Sequence, residues 1–235
     1  MKLLAFDTST ELMTVAVQRG VSDVGQIWQH SGEGGPKTST QLIPVIEDLM
    51  LQAGLQFAEL DAIIFGRGPG SFTGLRTACS VAQGLAFGAQ LKVLPIDTLL
   101  AVAEEARFQF APQQEHYEVT ALLDARMDEM YLAHYAFHGG QWTHSGNYDL
   151  LRPQDLQGEP QRRLAGNVFG SYAARLPAVF TERFTALPTA TALLRLAPTL
   201  LAAGAAVEPA QALPLYLRDK VAQTTLERAA LKGAL

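Results

Sequence analysis

The sequence predicts an α/β protein built from two similar lobes, each with a mixed β-sheet flanked by helices. The first observation is a repeat: residues 3–18, LLAFDTSTELMTVAVQ, and residues 121–135, ALLDARMDEMYLAHY, each have the pattern of a strand running into an aspartate, a polar turn and a returning strand. The second is a glycine-rich segment after each unit, Gly66–Ser71 and Gly166–Ser171, that precedes a helix-like run. The same order of elements occurring twice indicates a duplicated fold.

Length and composition allow such a pair of lobes. The chain of 235 residues suits two lobes of roughly 100 residues or slightly more. We expect an N-terminal lobe over residues 1–110, completed by the C-terminal segment 213–235, and a C-terminal lobe over residues 111–212. The boundary is placed at Ala111–Glu115, which contains proline and charge but no bulky apolar residue.

Charge and cysteine content restrict the partners and the compartment. The net charge is −5 and the longest basic features are pairs such as Arg162-Arg163, so we expect any RNA to be held by another subunit. The single cysteine, Cys79, excludes an internal disulfide, favours a reducing compartment and is predicted to be buried. The N-terminus lacks a signal-peptide pattern, and charge and proline interrupt the most apolar stretch, Ala192–Val207. We therefore expect a cytoplasmic protein without membrane contact.

The first half begins with the pattern of a three-stranded meander followed by a helix. Apolar runs predict strands at Lys2–Phe6, Met13–Gln18 and Val24–His30. A polar loop then leads to a helix over Ser39–Ala53, for which Gly54 is a suitable C-terminal stop.

A short buried strand, a glycine-rich turn and a second helix follow. Ala62–Phe65 is a continuous apolar run, and the turn GRGPG contains Gly68 and Gly70. The helix is predicted to begin at the N-cap Ser71 and to reach about Gly88. A helix N-terminus after such a turn can bind phosphate through its free N–H groups, and a tight turn without a ligand is the alternative.

Both predicted helices are apolar on more than one face. The first carries a stripe at helical spacing and further apolar residues outside it: Leu42, Val45, Ile46, Leu49 and Leu55, and then Ile43, Met50 and Leu51. The second carries an apolar stripe and a stripe of small residues: Phe72, Leu75, Cys79, Ala82 and Leu85, and then Thr73, Thr77, Val81, Gly84 and Gly88. Such additional faces are covered either within the fold or by a protein partner.

The remaining elements follow from shorter patterns. They are a strand at Lys92–Ile96, a helix capped by Asp97 and reaching Phe108, a strand at Trp142–Leu151, a helical turn at Pro153–Leu156, a short helix at Ser171–Leu176, a helix at Ala192–Ala203 kinked by Pro198, an extended segment at Leu213–Leu217 and a terminal helix at Thr225–Leu231.

An aspartate ends the first strand of each half, Asp7 before Thr8-Ser9-Thr10 and Asp124 before Ala125-Arg126. This scheme resembles the actin-like ATPases and the ribonuclease-H-like fold, in which paired acidic turns flank a nucleotide and a metal between the lobes. Here Ser9 and Arg126 replace the usual glycine, and the alternative is that each aspartate caps its own turn. The residues of these degenerate nucleotide-type loops are Asp7, Thr8, Gly68, Gly70, Ser71, Thr73, Arg76 and Asp124.

Several motifs together resemble one family. GRGPGSFTGLR with the downstream AQGLA, the N-terminal LLAFDTST, the central LLDARMDEMY and the late PLYLR are similar, in this order, to the TsaB (YeaZ) family. The resemblance implies a cytoplasmic bacterial protein of tRNA modification. That family helps to install threonylcarbamoyl on N6 of the adenosine 3′ of the anticodon, in tRNAs reading codons that begin with A.

The resemblance also implies partners. In that system TsaD, a larger relative of the same fold, transfers the group to tRNA, the TsaB family dimerises with and activates TsaD, and the small ATPase TsaE completes the complex. The chain alone is expected to form a homodimer and to meet tRNA only through the complex. The family contacts its partner through its first two helices, which correspond here to Ser39–Ala53 and Ser71–Gly88. The expected interface residues are Leu42, Ile43, Ile46, Met50, Thr73, Thr77, Val81 and Gly84.

No catalytic residue, metal or cofactor is expected in this chain. TsaD-type relatives hold a metal with two histidines four residues apart on the first long helix, whereas Pro36–Leu51 contains no histidine. His134 and His138 are four residues apart in a strand-like segment, which separates them too far for one metal. The alternatives are an ATP-dependent small-molecule kinase and a metalloprotease-like hydrolase. The missing metal ligands argue against the hydrolase.

Overall fold

The computed structural model describes residues 1–20, 25–159 and 161–218, and in them two five-stranded sheets and five α-helices. The strands are β1 (Lys2–Asp7), β2 (Leu12–Arg19), β3 (Gln26–Glu33), β4 (Ala62–Gly68), β5 (Val93–Asp97), β6 (His116–Arg126), β7 (Glu129–His138), β8 (Gln141–Leu151), β9 (Arg163–Gly166) and β10 (Arg183–Thr185). The helices are α1 (Thr38–Gln52), α2 (Phe72–Ala89), α3 (Thr98–Phe110), α4 (Phe169–Tyr172) and α5 (Ala190–Ala202).

The two sheets have the same strand order. The first sheet runs β3-β2-β1-β4-β5 and the second runs β8-β7-β6-β9-β10, so each strand of the first sheet has a counterpart in the second. β1 pairs antiparallel with β2 and parallel with β4, and β6 pairs antiparallel with β7 and parallel with β9. The predicted duplication, with a mixed sheet flanked by helices in each half, is confirmed.

The first sheet is covered on both faces, which explains why its central strands are apolar throughout. On one face, Phe6 and Phe65 pack against α1 and α2, with Ile46 of α1 fully buried between them. On the other face, Ile64 packs in a second cluster with Leu193 of α5. Burying both faces fixes the register of the sheet, since a shift by one residue would exchange the two sets of side chains.

Helix α3 packs against both sheets. Leu99 and Val102 belong to the core of the second sheet, and Ala101 belongs to the core that the first sheet shares with α5. The other face of the second sheet is covered by the segment after β9, through Tyr172 and Phe180. Helix α3 therefore belongs to the hydrophobic cores of both halves and joins them.

Two buried carboxylates on α3 tie this helix to α5 and β8. Glu104 accepts hydrogen bonds from Arg195 Nε and Trp142 Nε1, each at 2.9 Å. Glu105 accepts from Arg195 Nη2 at 2.6 Å and from the Thr189 hydroxyl at 2.7 Å. Because both glutamates are buried, these hydrogen bonds offset the cost of removing the two side chains from water.

The structure differs from the sequence prediction mainly at the ends of elements. Helix α2 continues one residue past Gly88 and ends where Gln90 adopts a left-handed conformation, with φ 58°. Ser71 and Asp97 occupy N-cap positions as predicted, but neither side chain caps its helix. Strand β10 was not predicted, because the three residues Arg183–Thr185 are too few to show a period.

Some predictions concern the C-terminal part of the chain. Leu213–Leu217 lies outside regular helices and strands, and the predicted helix Thr225–Leu231 lies outside the described residues. The division into lobes at residues 1–110 and 111–212 stays a prediction. Within the described ranges, no helix is long and apolar enough to cross a membrane.

The network around α3 yields a first prediction. Arg195→Ala should lower the free energy of unfolding by roughly 3 kcal/mol, because each of two buried carboxylates loses a charged donor while keeping its other hydrogen bonds. Arg175→Ala, which removes an exposed pair with Asp128 at 2.8 Å, should cost less than about 1 kcal/mol. Urea denaturation of both variants tests this. Equal losses would contradict the structural role of the network.

Candidate functional site

Asp7 lies at the end of β1 with its carboxylate fully buried. Oδ1 accepts hydrogen bonds from the backbone N–H of Ser9 at 2.8 Å and from the Ser9 hydroxyl at 2.5 Å. The Thr98 hydroxyl donates to Oδ2 at 3.3 Å. Burial raises the pKa of the Asp7 carboxyl above its ordinary value of 3.8, while the hydrogen bonds from Ser9 and Thr98 act in the opposite direction. The carboxylate thus caps its own turn.

The glycine-rich loop and the start of α2 lie directly against this turn. A Cβ atom at Gly66 would be 1.7 Å from Asp7 Oδ2, and one at Gly74 would be 1.9 Å from the carbonyl oxygen of Thr8. The Thr8 hydroxyl donates to the Gly74 carbonyl at 2.8 Å. Glycine at position 66 therefore leaves room for the Asp7 carboxylate, and glycine at position 74 lets the backbone of α2 approach the turn after β1.

Two backbone N–H groups of the glycine loop are bound within the protein. The N–H of Gly68 donates to the Thr98 hydroxyl at 3.1 Å, and the N–H of Ser71 donates to the Ser9 carbonyl at 2.7 Å. Gly70 lies equally close to this turn, since a Cβ there would be 2.6 Å from the Ser9 carbonyl oxygen. This geometry favours the tight turn over a phosphate cradle, because N–H groups that a phosphate needs already have partners.

Asp124 repeats the arrangement of Asp7 in the second half. Its Oδ1 accepts from the backbone N–H of Arg126 at 2.8 Å and from the Tyr172 hydroxyl at 2.9 Å. The backbone N–H of Asp124 donates to Asn167 Oδ1 at 2.9 Å. Both aspartates therefore accept a hydrogen bond from the N–H two residues later, which is the side-chain-capped turn considered as the alternative to a metal site.

The two acidic turns face each other across a cavity of about 430 Å³. The first half contributes Ser9, Thr10, Glu11, Gly70 and Ser71, the second half contributes Asp124, Ala125, Arg126, Met127 and Asn167, and the C-terminal segment contributes Leu215, Tyr216, Leu217 and Arg218. Asn167 Nδ2 donates across the cavity to Glu11 Oε2 at 3.2 Å. Of the residues predicted for degenerate nucleotide-type loops, Gly70, Ser71 and Asp124 line this cavity, with the C-terminal segment beside them. The lining does not include Asp7, Thr8, Gly68, Thr73 and Arg76.

Arg67 connects the glycine loop to the second sheet. Its Nε donates to Asp97 Oδ1 at 2.5 Å, and the Tyr148 hydroxyl of β8 donates to the other carboxylate oxygen. Burial, together with this hydrogen bond to Asp97, raises the pKa of the Tyr148 hydroxyl to about 12. Asp97 is therefore held by two donors, which explains why its carboxylate does not cap α3.

The two histidines spaced four residues apart have separate neighbours. The Nδ1 atom of His134 lies 2.8 Å from the Thr120 hydroxyl, and that of His138 lies 2.9 Å from Nδ1 of His116. Burial lowers the pKa of His134. In the part of the chain that the structure describes, no three His, Cys, Asp or Glu side chains are grouped as a metal site would require.

The structure corrects part of the predicted interface on α1. Leu42, Ile46 and Met50 are buried in the core of the first sheet, because this side of α1 packs against the strands. They therefore do not form a surface for a partner. Ile43 is exposed, and so is Leu51, at 79% of its maximal area, which the predicted interface did not include.

The outer surface of α2 is open to solvent. Thr73 and Gly84 are exposed, and Thr77 and Val81 are partly exposed. Phe87 is 80% exposed and was not predicted as an interface residue. Its spacing of three residues from Gly84 was the signal that could have identified it, since such residues share a face of a helix.

Comparisons with known proteins place this geometry in a class. Residues 33–232 match the family model described as "TsaD: tRNA N6-adenosine threonylcarbamoyltransferase". The solved structure of YeaZ from Pseudomonas aeruginosa is 37% identical, with a TM-score of 0.79, and the match covers 92% of this chain and 99% of that chain. The chain is therefore a two-lobed protein of the actin-like and ribonuclease-H-like type to which TsaD and YeaZ belong.

Curated relatives narrow this class further. The chain is 35% identical over 234 residues to the "tRNA threonylcarbamoyladenosine biosynthesis protein TsaB" of Haemophilus influenzae, covering 93% of this chain and 94% of that protein. It is 32% identical over 233 residues to the TsaB protein of Escherichia coli, covering 94% and 96%. The chain belongs to the TsaB (YeaZ) family.

Two glycines of α2 provide a matched test of the packing at its start. Gly74→Ala should lower the free energy of unfolding by roughly 3 kcal/mol, because its Cβ meets the Thr8 backbone. Gly84→Ala should raise it by about 0.5–1 kcal/mol, because the space around Gly84 is empty and alanine favours a helix. Thermal or urea unfolding measures both effects. Equal effects of the two substitutions would show that α2 does not approach the turn as described.

The burial of Asp7 predicts a pH dependence. Because the folded-state pKa is raised above 3.8, the folded protein holds the proton more tightly than the unfolded chain does. Stability is therefore lost as the pH rises from the unfolded pKa through the folded pKa, and then stays constant. Relative to Asp7→Asn, the wild type should lose stability in urea denaturation as the pH is raised above 3.8. A relative gain with rising pH would contradict the prediction.

Proposed function

We propose that this chain is a non-catalytic, cytoplasmic subunit that binds and activates TsaD during threonylcarbamoyladenosine formation. The modified atom is N6 of the adenosine 3′ of the anticodon in tRNAs reading codons that begin with A. Membership of the TsaB family supports the pathway. The observation that most directly supports the role of a binding subunit is the surface formed by the outer faces of α1 and α2.

In the part of the chain that the structure describes, no contact explains why Gly84 and Gly88 of α2 are glycines. A Cβ at Gly84 or Gly88 would meet nothing within 4 Å, yet each glycine in a helix interior costs about 0.5–1 kcal/mol relative to alanine. Gly74 on the same helix is different, because the Thr8 backbone leaves no space for a side chain. The close approach of the turn after β1 explains why residue 74 is glycine. In the same way, the close approach of another protein would explain why residues 84 and 88 are glycine.

Apolar side chains lie on the same two helices. Phe87 on α2 and Leu51 and Ile43 on α1 are exposed, and burying such a side chain completely contributes about 1.5–3 kcal/mol. Aromatic and large apolar residues around a small-residue stripe are typical of the central part of a protein interface. The proposed interface therefore comprises Ile43, Leu51, Thr73, Thr77, Val81, Gly84, Phe87 and Gly88.

The cleft supports a role without chemistry of its own. The carboxylates of Asp7 and Asp124 cap their own turns, and the N–H groups of Gly68 and Ser71 are bound by protein oxygens. A small-molecule kinase needs such groups free for phosphate and metal. Accordingly, we propose that TsaE joins the complex, that the chain alone forms a homodimer, and that tRNA is held through the complex, since the net charge is −5.

The proposed interface predicts the effect of a bulky charge on α2. Gly84→Arg should abolish the heterodimer with TsaD, because the guanidinium group would have to be buried against the partner. Gly170→Arg is the matched control, since Gly170 is also exposed with nothing within 4 Å of a Cβ but lies on α4. Size-exclusion chromatography with light scattering measures the complex, and circular dichroism should show both variants folded. A normal heterodimer with Gly84→Arg would refute this interface.

Reconstitution tests the function itself. Threonylcarbamoyl transfer to tRNA by TsaD and TsaE should depend on the wild-type chain, fail with Gly84→Arg and proceed with Gly170→Arg. Titration of the isolated chain with ATP and magnesium should show weak binding or none. Modification that proceeds without this chain would overturn the proposal, and tight ATP binding with turnover would favour the kinase.

A further inference from the structure

We propose that residues Leu213–Arg218, here named the strap, fasten the two halves of the molecule across the cleft and hold it closed. The strap lines the cavity between the two acidic turns. It contacts the glycine loop of the first half and the turn after β6 in the second half. This inference rests only on contacts within the chain, so it does not depend on the proposed function.

The strap begins beside α2 and then lies along the glycine loop. Just before it, the carbonyl of Ala212 accepts a hydrogen bond from Gln83 Nε2 of α2 at 2.9 Å. The backbone N–H of Leu215 then donates to the Arg67 carbonyl at 2.7 Å. A Cβ at Gly68, whose φ is +118°, would be 2.6 Å from the Leu215 carbonyl oxygen. Glycine at this position is therefore what lets the strap lie against the loop.

Side chains of the strap strengthen this attachment to the first half. The Tyr216 ring lies 5.3 Å from the Phe72 ring at the start of α2, and Arg76 Nε donates to the Tyr216 hydroxyl at 3.2 Å. The Arg76 guanidinium also lies 4.0 Å from the centre of the Phe72 ring. An aromatic contact and a hydrogen bond thus act directly on Tyr216, and a cation–π contact joins the two residues of α2 that make them.

Arg218 attaches the strap to the second half. Its Nη2 donates to Glu129 Oε2 at 2.5 Å and to the Arg126 carbonyl at 3.4 Å, and its Nη1 approaches Met127 Sδ at 2.7 Å. The Arg218 side chain is only 13% exposed. An ion pair of this kind is screened less by water than a surface pair, so that removing one partner has a larger effect.

The turn that Arg218 contacts is strained. Arg126, Met127 and Asp128 all have positive φ, at 62°, 56° and 62°, although none is glycine. Such conformations cost of order 1 kcal/mol or more each and persist only where surrounding contacts hold them. Arg218 supplies two such contacts, to Arg126 and Met127, and a third to Glu129 directly after the turn. Another link across the cavity, Asn167 to Glu11, joins exposed atoms at 3.2–3.3 Å.

The distance between the two halves tests the strap. Cys79 is buried, so spin labels can be placed at Ala58→Cys and Ser171→Cys, two exposed positions in different halves. Double electron–electron resonance on the full chain should give one narrow distance distribution for the otherwise wild-type protein. With Arg218→Ala, the ratio of longer to shorter distances should rise about tenfold, because the second anchor of the strap is lost.

A matched control separates the strap from general damage to the turn. Arg175→Ala removes a 2.8 Å contact to Asp128 of the same turn without touching the strap, and should leave the distribution narrow. Glu129→Gln keeps the shape of the side chain and should broaden the distance distribution as Arg218→Ala does. This variant replaces Arg218→Ala in the test if Arg218→Ala does not fold. An unchanged distribution in Arg218→Ala and Glu129→Gln would overturn the proposal, and so would equal broadening in the control.

Discussion

The close contact between the turn after β1 and the start of α2 is the constraint on which the rest of the structure depends. Gly66 makes room for the buried Asp7 carboxylate, and Gly74 lets α2 touch the Thr8 backbone. With these contacts the direction of α2 is fixed, so one side of the helix covers the first sheet and the other faces solvent. The same contact binds the N–H of Ser71, a group that a phosphate site would use. The same contact thus determines which side of α2 is exposed and occupies a backbone N–H group at the edge of the cleft.

The duplicated fold uses the aspartate of each half to cap a turn. The two halves keep equivalent strand orders and equivalent aspartates, but Asp7 and Asp124 are both engaged in their own turns. Removing either carboxylate would therefore change the free energy of unfolding, because each turn would lose its cap. Within the described residues, the exposed side of α2, with Gly84 and Phe87, makes no comparable contacts, and this contrast is the physical basis for proposing that the helices bind a partner.

Sequence reasoning gave the fold largely correctly because the repeat, the apolar runs and the glycine loop are local patterns. It failed where the answer depended on which side of a helix meets the sheet. Five of the large apolar residues of α1 have similar side chains. Three of them are buried, Leu42, Ile46 and Met50, whereas two are exposed, Ile43 and Leu51. Such a distinction needs the position of α1 over the strands, which helical spacing alone does not supply when several faces are apolar.

The cleft shows a second limit of sequence reasoning. That Asp124 follows a strand is visible in the sequence, but the contacts of Arg218 with the turn around Met127 join segments about ninety residues apart in the chain. No periodic pattern encodes such a contact. The purpose of Arg67 and Arg76 was equally hidden, because their partners Asp97 and Tyr216 come from distant elements.

The central claim is that this chain acts through the surface of α1 and α2 and not through its cleft. Hydrogen–deuterium exchange of the chain, with and without its proposed partner TsaD, tests it most directly. The account predicts that partner binding slows exchange in Thr38–Gln52 and Phe72–Ala89 while the turns after β1 and β6 change little. Slowed exchange confined to those two turns, with both helices unchanged, would contradict it.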